Sequence, residues 1–175
     1  MYFNIKHEDF LISRDLDFKN TSYLYGEVSH ESLNIILKKY INDNSIFLDI
    51  GSGCGKIVIY ISKMNDILAD GIELVKYRFE KSIKLLDETN LHDKIEFIND
   101  DFKNLYFGNY NIIYCCNLIF SEKDNYNLYT KIKNEFEGIF ILFYYDNILE
   151  EFLIDTLEIK TSWNKSQPIF IFQKN

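Results

Sequence analysis

Short apolar runs alternate along the chain with stretches of helical spacing. From Gly26 to about Tyr40, GEVSHESLNIILKKY sets Val28, Leu33, Ile36 and Leu37 near one face and places Lys38 and Lys39 late, which predicts an opening helix. SIFLDI (Ser45 to Ile50) is a short apolar run ended by glycine, the pattern of a strand buried on both faces of a parallel sheet. A glycine-rich turn then leads into KIVIYISKM, a second helix. ILADGIE (Ile67 to Glu73) predicts the second strand. The following LVKYRFEKSIKLLDETN spaces Val75, Phe79, Ile83 and Leu86 as a helix does. KIEFIND (Lys94 to Asp100) predicts the third strand and YNIIYCCNLIF (Tyr110 to Phe120) the fourth, followed by a helix over about Glu122 to Phe136 and a fifth strand at GIFILFYY. The last third changes character: a short helical segment at NILEEFLIDT precedes LEIKTSW and PIFIFQK, which pair as a terminal antiparallel hairpin.

Five strand and helix alternations before a hairpin predict an α/β fold. The expected architecture is a doubly wound, mainly parallel seven-stranded sheet with helices on both faces and a C-terminal antiparallel hairpin. At 175 residues the chain has the size of one domain, with residues 1–22 as an N-terminal arm and 23–175 as the core. FNIKHEDFLISRDLDFKN, within the arm, is either a substrate-covering segment or a packing arm.

Composition narrows the partners more than the fold. Hydrophobic residues make up 47% and charged residues 26%, as in ordinary globular chains. The net charge of −8 argues against an extensive nucleic-acid surface, because such binders display a basic face, and it suits a basic partner; solubility accounts for an acidic balance equally well. Three cysteines, Cys54, Cys115 and Cys116, are too few for a disulfide framework, and the adjacent pair lies in an apolar run, so reduced core thiols are expected. No apolar run is long enough for a bilayer and the start MYFNIKHEDF lacks a signal pattern, which predicts an intracellular protein, cytoplasmic or nuclear, with no membrane partner. His7, His30 and His92 are scattered among polar neighbours, and no metal site is expected.

The candidate chemistry begins at FLDIGSGCGKIV, Phe47 to Val58. A phosphate-cradling loop ending in Gly55-Lys56 requires a glycine where Ile50 stands and a hydroxyl where Ile57 stands, and both are missing. A dinucleotide fingerprint requires glycine at Lys56. What remains is an acidic strand end followed by G-x-G-x-G, that is Asp49, Gly51, Gly53 and Gly55, which resembles the first motif of class I S-adenosylmethionine (SAM) methyltransferases, a Rossmann-like fold. Glycines let backbone approach a bulky ligand, and the next helix offers unpaired N–H groups to a carboxylate such as that of SAM. Twenty residues after Gly53, Glu73 ends the second strand, where an acceptor can take both ribose hydroxyls. NDDF ends the third strand, placing Asp101 for the adenine amino group and Phe102 for its face. Each has a plainer reading as well: a packing turn for the glycines, a solvated strand end for Glu73, a turn former or helix cap for Asp100 or Asp101.

A narrower resemblance joins these segments. YGE (Tyr25 to Glu27), FLDIGSGCGKIV, GIE (Gly71 to Glu73), NDDF (Asn99 to Phe102) and CNLIF (Cys116 to Phe120) resemble, in order and spacing, the disruptor-of-telomeric-silencing family of histone lysine methyltransferases, which lack a SET domain. The resemblance runs from about Tyr23 to Tyr145. It implies that Tyr25, Gly26 and Glu27 close over the methionine part of SAM and that Asp49, Gly51 and Gly53 form its floor. It further implies that Glu73 holds the ribose, Asp101 and Phe102 the adenine, and that Asn117 lies near the transferable methyl group. Asn117 and Tyr25 are thereby the candidate catalytic residues. The sequence departs from the family pattern where Lys56 replaces a glutamine and Cys116 replaces the first asparagine of a pair.

Methyl transfer from a sulfonium needs alignment and exclusion of water more than acid–base help, and a lysine nucleophile loses its proton most readily in an apolar channel. Tyr25, Phe120 and Tyr144 are candidates for that channel. The expected activity is methylation of a protein, a lysine of a histone or another basic protein. An RNA or small-molecule methyltransferase and a catalytically inactive SAM-fold binding module stand as alternatives.

Overall fold

The structure, a computed structural model, describes residues 28–175. Helix α1 spans His30–Tyr40 and is followed by β1 (Ile46–Ile50), α2 (Lys56–Asn65), β2 (Leu68–Ile72), α3 (Lys76–Asp87), β3 (Ile95–Ile98) and β4 (Ile112–Cys115). Then come α4 (Glu122–Glu135), β5 (Gly138–Leu142), β6 (Leu153–Ile159) and β7 (Gln167–Lys174). The strands form one sheet in the order β3-β2-β1-β4-β5-β7-β6. β1 to β5 pair in parallel, whereas β7 inserts antiparallel between β5 and β6. This is the expected seven-stranded α/β sheet with its terminal hairpin.

Alternating residues of β1 feed two cores. Phe47 packs on one face with Ile36, Val58, Ile61 and Tyr114, beneath α1, α2 and α3; Leu48 and Ile50 pack on the other with Leu128, Tyr129 and Ile132 of α4. Burial on both faces explains why the central strands read as continuous apolar runs. The order reverses at β1, where one crossover leads outward to β2 and the other to β4. Ligands of open α/β sheets bind outside the carboxyl strand ends at such a switch point.

Two predicted segments differ from the observed ones. The apolar run from Tyr110 to Phe120 is not extended throughout: β4 stops at Cys115, and Asn117–Ile119 forms a 3-10 turn. An unbroken apolar run carries no periodicity to mark where a strand stops, and here a buried amide fixes the turn. The segment NILEEFLIDT is helical only at Asn147–Phe152, a 3-10 helix, and β6 begins at Leu153 rather than Leu157. Inward and outward positions alternate from Leu153 to Glu158, as in an edge strand with one wet face.

Candidate functional site

The turn after β1 is shaped by backbone that most side chains disfavour. Gly51, Gly53 and Gly55 have φ of 78°, 57° and 79°. At Gly55 space also excludes a side chain, since a Cβ would lie 2.4 Å from the Phe97 ring and 2.8 Å from Ser82 Cβ. At Gly51 only the dihedral demands glycine: the nearest group to a Cβ is the Phe120 ring at 4.0 Å, so the space above this glycine is open. The N–H groups of Gly51 and Ser52 donate to Ile72 O at 2.9 and 3.1 Å, lashing the turn to the end of β2. The turn enters α2 without a side-chain cap, which leaves first-turn N–H groups to a ligand.

Glu73 sits against this turn, 5% exposed. Its Oε2 accepts from Gly53 N and its Oε1 from Val75 N, both at 2.8 Å, while Asn99 donates to its backbone carbonyl at 2.8 Å. Residues twenty apart in sequence therefore meet, and lone pairs remain on each carboxylate oxygen. Asp49 lies 3% exposed on the α1/α2 side of the sheet. Its register partner on β2 is Gly71, without a side chain, and on β4 Tyr114. Burial, and then the Glu73 charge, raise its pKa to about 8.

Phe102 and Phe120 stack at 5.7 Å, with 16° between their planes, beside the open side of Gly51. Asp101 has a structural task of its own: Oδ1 accepts from Lys103 N at 3.0 Å, capping a single 3-10 turn, and Oδ2 pairs with Lys103 Nζ at 2.9 Å. The cap reading of Asp101 is thus realised in the structure, with the ring of Phe102 next to it.

Asn117, which the resemblance sets near the transferable methyl group, opens the 3-10 turn after β4. It is fully buried. Its Oδ1 accepts from the N–H groups of Phe143 and Tyr144 at 3.1 and 3.0 Å, and its Nδ2 donates to Asn125 Oδ1 at 2.7 Å and Tyr144 O at 2.8 Å. Four bonds saturate this amide. It ties the ends of β4 and β5 to α4, while the half-buried Cys116 and the exposed Leu118 and Tyr144 surround it. Cys116 follows the last residue of β4, and burial pushes its thiol up to about 12, so it is held protonated. Cys54 and Cys115 are buried and form no disulfide, the reduced core thiols expected. Tyr25, Gly26 and Glu27 lie outside the described residues; Val28, next in sequence, bridges to Thr161.

One feature escaped sequence reasoning. Trp163, in the turn between β6 and β7, is exposed, packs on Phe143 at 6.3 Å and donates through Nε1 to Gln167 at 3.2 Å. Because β7 runs antiparallel to β5, this turn returns to the carboxyl strand ends. The only tryptophan of the chain, placed in a hairpin turn, was the available signal.

Among solved structures, an RNA methyltransferase from Salinibacter ruber in complex with S-adenosyl-L-homocysteine (SAH) superposes with a TM-score of 0.68 at 15% identity, covering 83% of this chain and 91% of that one. A SAM-dependent methyltransferase from Thiobacillus denitrificans, also bound to SAH, gives 0.57 at 16%, covering 80% and 56%. These likenesses establish the Rossmann-like methyltransferase fold. A histone-lysine N-methyltransferase, H3 lysine-79 specific, from Kluyveromyces lactis is 46% identical over 43 residues, which is 24% of this chain and 8% of that protein. Residues 17–167 match the family described as Histone methylation protein DOT1, and across that span the chain belongs to this family of SAM-dependent methyltransferases.

Proposed function

We propose that the protein transfers the methyl group of SAM to a lysine amine of a basic protein, a histone being the substrate class. The observation that carries the reading is the convergence of Asp49, the glycine turn, Glu73 and the Phe102–Phe120 pair at one switch point, within a DOT1-family chain. The residues fit the cofactor: the space above Gly51 is open, and the start of α2 has no side-chain cap. In this reading SAM supplies an electrophilic methyl. The N–H groups at the start of α2 receive the methionine carboxylate, Asp49 the ammonium, Glu73 the ribose hydroxyls, and Asp101 with Phe102 the adenine. Tyr25, Gly26 and Glu27 close the methionine side. Asn117 is a positioning residue, acting through Tyr144 and the β4 and β5 ends rather than on the methyl. The substrate amine enters over Leu118, Tyr144 and Trp163, whose apolar surface disfavours the ammonium form of lysine. The reading takes residues 1–175 as one methyltransferase domain in which 1–22 is an arm, and a histone substrate makes it a nuclear enzyme.

The test is transfer of tritiated methyl from SAM to histones, other basic proteins and RNA. Label on a lysine of a basic protein is the expected result. Label on RNA alone would replace this reading with the RNA-modifying one, and no label on any substrate despite SAH binding would favour the inactive binding module.

A further inference from the structure

The floor of the site contains an acid that no cation among the described residues pairs with. Asp49 is enclosed by Phe47 on its own strand, bare Gly71 on β2 and the Tyr114 ring on β4. The titratable groups that interact electrostatically with it are Glu73 after the end of β2, Tyr114 and Cys115 from β4, and Cys116 just after β4. Glu73 is the charge that acts on it, and that charge is negative. Tyr114 and the thiols of Cys115 and Cys116 are themselves pushed toward their neutral forms by burial. A second observation points to a missing polar partner: the Tyr114 hydroxyl, buried and within electrostatic reach of Asp49, has no hydrogen-bond partner among the described residues. A buried carboxyl beside another carboxylate is most stable protonated, whereas one facing a cation is most stable ionised. The cofactor would bring such a cation, the ammonium of its methionine part, into this floor.

We propose that Asp49 holds a proton in the free enzyme and releases it to solvent when the cofactor ammonium is seated against it, so that cofactor binding is coupled to proton release. The inference rests on the cofactor reading above and adds a regulation to it. The carboxyl O–H bond breaks, the proton passes to buffer, and the carboxylate pairs with the ammonium. With Asp49 at about 8 in the free protein, and an amino-acid α-ammonium that titrates higher because it stands beside its own carboxylate, the sign of the exchange depends on pH. Below both values the ligand arrives charged and Asp49 must lose a proton. Above both, Asp49 is already ionised and the ligand must gain one. Between the two values the release fades and then reverses. Apparent affinity therefore falls by about tenfold per pH unit below pH 7.

The experiment is calorimetric titration of the full chain with SAH at pH 6.5, 8 and 9, each in two buffers of different ionisation enthalpy, which yields protons exchanged per ligand bound. Nearly one proton released at pH 6.5, a fraction of one at 8 and no release at 9 is the expected result. Asp49→Asn, isosteric with the protonated acid, should bind more weakly and release no proton at pH 6.5. Binding by the wild type without release at pH 6.5 would overturn the inference and leave the cofactor reading intact. No binding at any pH would remove the cofactor reading, and this inference with it.

Discussion

At the scale of single residues, Asp49 shows how one strand end can serve two requirements. As part of β1 it must be buried, because β1 is an interior strand and both its faces are covered. As the acid that precedes the glycine turn it must be able to carry charge. In the free protein the first requirement prevails, and the direction of its pKa gives a stability prediction. A raised folded-state pKa means that the native state binds more protons than the unfolded state between about pH 4 and pH 8. The contribution of Asp49 is therefore fully present below pH 4 and is lost as pH rises through 8, with a slope of about 1.4 kcal/mol per pH unit. Urea unfolding of the wild type and Asp49→Asn across pH 5 to 9 measures this. The variant, which has no proton to lose, should gain stability relative to wild type as pH rises; parallel profiles would mean that Asp49 is charged throughout. The residue itself was legible in the sequence, as the acid before Gly51. Its protonation was not, because that depends on Glu73, Gly71 and Tyr114, which lie on other strands.

At the scale of elements, the site is made by ties between strand ends. Glu73 fastens the glycine turn to β2, and Asn117 fastens β4 to β5 and α4. Asn117→Ala would leave the N–H groups of Phe143 and Tyr144 buried without their acceptor, at a cost of about 2–4 kcal/mol in unfolding free energy. If Asn117 positions the β5 end, the variant should unfold at lower denaturant and present Tyr144 poorly to substrate, raising KM, while SAH affinity changes little. Unchanged stability with a collapse of kcat alone would return Asn117 to the methyl group. This environment has a local cause. The strand stops at Cys115, so the residue following it in the site is Cys116, and Asn117 falls one position later, on the inner side of a 3-10 turn. Sequence pattern marks the apolar run but not that stop.

At the scale of the whole molecule, charge is the property that bears on the partner. A net charge of −8 on 175 residues favours encounter with a basic protein and disfavours one with nucleic acid. Methyl transfer to a histone substrate should accordingly weaken with salt. Raising ionic strength from about 0.05 to 0.3 M shortens the screening length and should raise KM several-fold with kcat little changed. A KM insensitive to salt, in steady-state assays, would place recognition in the apolar rim of Leu118, Tyr144 and Trp163 instead. That rim joins elements far apart in sequence, since the turn before β7 reaches the carboxyl ends only because β7 runs against β5.

The sequence by itself determined the alternation of strands and helices, the closing hairpin, the glycine turn and the identity of the acids at the strand ends. These depend on local periodicity and on backbone conformations that glycine alone adopts freely. Only the tertiary structure decided which strands are neighbours and how charge is balanced where they meet. It brought Glu73 onto Gly53, left Asp49 without a cation among the described residues, enclosed Asn117 and set Trp163 against Phe143. Burial and hydrogen-bond partnership belong to pairs of residues, and when those residues lie on different strands no local pattern records them.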